Sequence, residues 1–145
     1  MFFTQDRVRL RNFYRETYNK ALRGESLEPL EELVADVIRE HPEYHRLFDG
    51  SDDALDADFA PEDGAINPWL HLSLHVALRE QVGTDRPNGI ADITRSLLLK
   101  HQDGHEVEHL MFECLGTALW NAQQSGQLDQ IDSSYLECLK HLVKQ

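Results

Sequence analysis

The chain is poor in the residues that usually tie a small protein together. It has two cysteines, Cys114 and Cys138, with no Cys-x-x-Cys spacing, which excludes a zinc ribbon and a disulfide-rich scaffold. Both fall inside helical patterns and read as buried thiols, with a pair across adjacent helices as the open alternative. Positive charge is scarce too: 14 Lys and Arg against 26 Asp and Glu leave a formal net charge of −12. Nucleic acid and anionic membrane surfaces need clustered cations to displace counterions, so neither is expected as a partner. Seven of the 14 basic residues do lie within the first 39, so one helix face could still be locally basic. No apolar run approaches the ~18 residues of a membrane span. The opening Met-Phe-Phe-Thr-Gln-Asp-Arg-Val-Arg-Leu has no basic region leading into an apolar one. No signal peptide is therefore expected, and the cytoplasm is the default location. A phosphate-cradling glycine loop, Gly-x-Ser-x-Gly and His-Glu-x-x-His are all missing.

What the chain has is helical periodicity. Its 145 residues suffice for one domain, 1–145, with a real core. Thr4 is a candidate cap for a first helix that Gly24 stops, and Ser26 a candidate start for a second, carrying Leu30, Leu33, Val34, Val37 and Ile38 until Pro42. The piece His41–Phe48 reads as a short helix with Pro42 in its first turn. An acidic excursion, 49–66, follows, with Leu55 and Phe59 as its anchors; loops this long are usually functional. Asn67-Pro68 starts a central helix to about Val82, and 83–89 is a turn. A fourth helix covers about 90–100, a fifth about 105–124 with Asp103 as cap and Gly126 as stop, and Asp132 caps a last one. No β-alternation appears. The fold expected is all-α, an irregular antiparallel bundle of five or six helices.

The central helix is apolar nearly all round, as a helix inside a bundle would be. Set into it are His71 and His75, one turn apart on one face. The fifth helix carries a second stripe, His105, His109 and Glu113, at about 40° per step along one edge. Histidines at i and i+4 can direct ring nitrogens at one ion, and a carboxylate one turn on completes a ligand set suited to Zn or Fe. The helix's own apolar residues lie on another side, which argues for a solvated stripe. Gly116 and Trp120 on the stripe's edge argue for cover, since an indole wants burial and a helical glycine suggests close approach. His41 and His45 share the spacing, but Pro42 and their context make them surface residues. Cys114 faces the apolar side, so it reads as inert core.

Several runs carry a family resemblance: His41-Pro42-Glu43-Tyr44-His45, Asn67-Pro68-Trp69-Leu70-His71-Leu72-Ser73-Leu74-His75 and Asp85-Arg86-Pro87-Asn88-Gly89-Ile90. To these add His109 through Gly116, Trp120-Asn121-Ala122-Gln123 and Tyr135-Leu136-Glu137. With these the chain resembles, over essentially its whole length, a small bacterial family known as domain of unknown function 1841. The resemblance implies a short, soluble bacterial protein and no activity or catalytic residue. A looser likeness is to hemerythrin-like di-iron proteins, which use His-x-x-x-His and His-x-x-x-Glu spacings. Here the two occur in the opposite chain order, and Glu106-x-x-His109 is the one pairing of its kind.

Two functions of different class follow. In the first, His71, His75, His109 and Glu113, with His105 as a further member, form a His/carboxylate metal site between the central and fifth helices. If catalytic, it would serve metal-assisted hydrolysis or redox chemistry. In the second, the protein is a non-enzymatic, acidic interaction module whose histidines are structural and whose 49–66 segment meets a protein partner. A pH-responsive bundle is a third option. Oligomeric state is open.

Overall fold

The structure, a computed structural model, describes residues 2–49, 52–57 and 67–145, and the side chains of all of these but 2–5 and 56. Every regular element among the described residues is helical. In chain order they are α1 (Phe2–Leu22), α2 (Pro29–Arg39), a 3₁₀ segment (Pro42–Phe48), the single turn α3 (Asp53–Asp56), α4 (Pro68–Thr84), α5 (Ile90–His101), α6 (Gly104–Ser125), a 3₁₀ turn (Leu128–Gln130) and α7 (Ile131–Lys144). No helix among the described residues is long and apolar enough to cross a membrane.

The capping chemistry explains most boundaries. Asn67 Oδ1 accepts from the backbone N–H groups of Trp69 and Leu70, and Asp103 Oδ1 from those of His105 and Glu106, so α4 and α6 start where their caps sit. Gly24 and Gly126 adopt φ of +74° and +75° just past α1 and α6, the left-handed conformation that closes a helix without Cβ strain. Three expected starts are corrected, one of them that of the last helix, since α7 begins at Ile131 and Asp132 lies inside it. Helix α1 already begins at Phe2, so Thr4 lies inside it. Helix α2 begins at Pro29 rather than Ser26: proline fits the first helical position, and Glu31 Oε1 reaches back to accept from the Glu28 N–H.

The chain divides into two compact units, Met1–Val76 and Ala77–Gln145. In the first, α1 packs on α2, on α3 and on the 3₁₀ segment. Its core gathers Tyr14, Val34, Val37, Ile38, Phe48, Leu55, Trp69, Leu72 and Val76. Leu55 is thus an anchor as expected, whereas Phe59 lies outside the described residues. In the second unit, α5, α6 and α7 pack on one another around Leu78, Ile90, Leu97, Val107, Met111, Cys114, Ala118, Tyr135 and Leu139. The division falls inside α4. Its first half feeds one core (Trp69, Leu72, Val76) and its second half the other (Leu78), which is why its sequence reads as apolar on many sides.

The cysteines are not free thiols. Cys114 on α6 and Cys138 on α7 form a disulfide, with their Cα atoms 5.6 Å apart. Their opposed positions on two packed helices supply the separation that the bond needs.

Candidate metal centre

The site is built from the end of α2. Proline cannot continue a helix, so Pro42 stops α2 and leaves its last carbonyls to find donors. Two imidazoles from the following segment supply them. His41 Nδ1 lies 2.7 Å from the Val37 carbonyl and His45 Nε2 2.8 Å from that of Ile38. A carbonyl only accepts, so each of these nitrogens carries a proton, and in the neutral ring the other nitrogen holds a lone pair. On His45 that other nitrogen, Nδ1, meets the Tyr18 hydroxyl at 3.4 Å. On His41 it is Nε2, inside a ring that is 0% exposed.

The His41 ring stands among histidines. Its centroid is 4.6 Å from that of His75 and 4.9 Å from that of His71, while His71 and His75 are themselves 4.9 Å apart. The α4 spacing produces the last distance directly, since i and i+4 side chains are neighbours on a helix. His71 Nε2 and His75 Nε2 approach to 3.1 Å, and His71 Nδ1 meets the Tyr44 hydroxyl at 2.8 Å. Tyr44 also stacks on His41, with ring planes 4° apart. Burial, and then the nearby Glu43 carboxylate, push the Tyr44 phenol above its ordinary pKa, so it stays a neutral hydroxyl. His75, like His41, is 0% exposed.

The second unit holds its own pair. The Asp103 cap opens α6, and one turn in, His105 and His109 stack edge to face with centroids 4.3 Å apart. Both are more open to solvent than His41 and His75. Between them in sequence, Glu108 takes two hydrogen bonds from Arg79 of α4, Nε to Oε2 at 2.9 Å and Nη2 to Oε1 at 3.1 Å. This fork-on-carboxylate pairing is half-buried and directional, so it fixes α6 against the second half of α4.

His71 and His75 stand together as the i, i+4 spacing requires, and so do His105 and His109. Glu113 is exposed on α6. The features that argued for cover on its edge fail: Trp120 is 62% exposed, and a Cβ on Gly116 would meet nothing within 4 Å. Asp85, a suggested carboxylate partner for the histidines, instead accepts from the N–H groups of Gly89 and Ala91 at the start of α5. The largest correction is His41 and His45, read as surface residues; His41 is fully buried and His45 half-buried. A signal was present, because a histidine just past a proline-stopped helix is placed to bond the last carbonyls.

A family model whose description is Domain of unknown function (DUF1841) matches residues 6–141. No curated protein and no solved structure matches the chain.

Proposed function

The chain belongs to the DUF1841 family, a membership that carries no activity with it, and from donor chemistry alone we propose that it is a metal-binding protein whose site is built on His41 and His75 of residues 1–76. The observation that carries this reading is the buried pair itself: both rings are 0% exposed, their centroids are 4.6 Å apart, and each offers a ring nitrogen within 4.8 Å of the other's. A further feature supports it. The His41 Nδ1–H bond to a backbone carbonyl is the outer contact that orients a ligating imidazole and leaves Nε2 as the donor.

Neutral imidazoles without thiolate suit Zn, Fe, Ni or Cu and suit Mg or Ca poorly. Glu113, exposed on its helix, is left out of the proposed set. The competing reading, an acidic interaction protein with structural histidines, rests on 49–66, of which 50, 51 and 58–66 lie outside the described residues.

The test is metal content. Untagged protein should carry about one transition-metal ion per chain, and saturation at ~100-fold over Kd should raise stability by ~2.7 kcal/mol. A content below ~0.2 per chain, with a melting temperature indifferent to chelator, would overturn the reading and favour structural histidines.

A further inference from the structure

We propose that the outward face of α6 is a contact surface for a second copy of this chain, with Trp120 of each copy seated over Gly116 of the other. The surface lies wholly within the second unit and is independent of the metal-centre reading.

Helix α6 buries Val107, Met111, Cys114, Ala118 and Ala122 along one line. At about 100° per residue, Glu113, Gly116, Trp120 and Gln123 share an arc centred directly opposite that line, and Leu119 flanks it. All five are exposed, Trp120 by 62% and Leu119 by 44%. From Cys114 to Leu128 the chain has no charged side chain, in a protein whose formal net charge is −12. An indole and a leucine held side by side in water on an uncharged helix face are what a contact surface offers. Gly116 adds a second observation. Glycine is among the poorest residues for a helix interior, and nothing within this chain asks for it here, since a Cβ would meet no atom within 4 Å. Its use is to let something outside the chain approach the backbone closely.

Shape and charge single out a second copy as the occupant. Gly116 and Trp120 are i, i+4 neighbours, so one face carries both a gap and a large knob. Two such faces, antiparallel about a two-fold axis at the level of Ala118, fit each knob into the other's gap, as a self-complementary interface requires. Copies that each carry a net charge of −12 repel one another, and a contact between them must avoid opposing like charges, as this face does. Glu113 stands at its edge. Antiparallel alignment sets that carboxylate against Gln123 of the other copy, whereas parallel alignment would set it against another Glu113. A face two to three turns long is small beside a standard interface, so the dimer should dissociate on dilution.

Sedimentation of the full chain over a concentration series tests this. Wild type should pass from monomer to dimer between roughly 10 μM and 1 mM, and more readily in added salt, which screens the net charge. Gly116→Gln and Trp120→Gln should each weaken the dimer at least ~10-fold. Gly116→Gln puts a better helix former into open space, so its monomer should melt no lower than wild type. Orientation is read at Gln123. Across an antiparallel contact, Gln123→Lys gains a pair with Glu113 on each side and should tighten the dimer about threefold, while Gln123→Glu should loosen it by as much. Thermal melts check that each variant is folded. A wild type that stays monomeric to ~1 mM overturns the proposal, as does a dimer that Gly116→Gln and Trp120→Gln leave unchanged. Loosening by Gln123→Lys as well as by Gln123→Glu would overturn the docking of Trp120 on Gly116.

Discussion

The two units use the same spacing of histidines to different ends. In 1–76, His41 and His45 follow a helix that proline has stopped, and both fold back to bond its carbonyls; His71 and His75 lie on a helix whose other faces are core. In 77–145, His105 and His109 ride on the first turns of α6, away from its buried line of Val107, Met111, Cys114, Ala118 and Ala122. The first unit therefore holds its imidazoles by burial and backbone contacts, and the second presents them from a helix made rigid by a cap, an ion pair and a disulfide. Spacing decides only which side chains are neighbours. What surrounds them decides whether a lone pair is kept dry and oriented, which is the difference between a ligand and a solvated side chain.

That contrast can be broken at its strongest point by comparing His41→Ala with His45→Ala. Isothermal titration with Zn(II) should show binding abolished in the first, a loss larger than the ~10–100-fold typical of an outer partner, and nearly unchanged in the second. Equal losses would mean that capping α2, which both residues do, is what the site needs. Next in size is the double change Cys114→Ala with Cys138→Ala. The bond closes a loop of sequence separation 24, and its removal should cost ~3 kcal/mol by chemical denaturation. Hydrogen exchange should place the loss in α6 and α7, and a loss spread evenly over residues 1–76 would contradict the assignment of rigidity to the second unit.

A smaller effect tests the start of the helix that serves both cores. Asn67→Ala removes the acceptor for two backbone N–H groups and should cost ~1 kcal/mol in denaturant melts. A cost near zero would mean that packing of Trp69 and Leu72 alone fixes the helix start.

The smallest concerns pH. The Glu31 carboxyl is held below its ordinary pKa first by the Glu28 backbone N–H and then by Lys20. A lowered folded-state pKa means that its contribution is present above the ordinary carboxylate range and fades as pH falls through the lowered value. The stability difference between wild type and Glu31→Gln should accordingly be level at neutral pH and shrink in acid. A difference that grows in acid would reverse the sign and contradict the contact.

Helix positions were largely legible because they depend on local chemistry. Asn67-Pro68, Asp103, Gly24 and Gly126 sit where the backbone needs a cap or a left-handed residue, and these needs are written within a few residues of each end. The start of α2 was less legible, since Ser26 and the Glu28-Pro29-x-Glu31 box compete within one turn and only one can cap. The i, i+4 neighbours were legible for the same local reason.

What residues 1–145 determined by themselves is therefore the helical class, the family and the pairing of His71 with His75 and of His105 with His109. Only the tertiary structure decided that His41 is buried beside His71 and His75, that Tyr44 meets His71 and that the two cysteines are bonded. It also put Trp120 and Glu113 toward solvent. The physical reason is range: caps and helical neighbours are set by torsions over one or two turns, whereas burial depends on what a distant segment brings to the same surface. His41 and His71 stand 30 positions apart in the chain, and no pattern local to either one records their meeting.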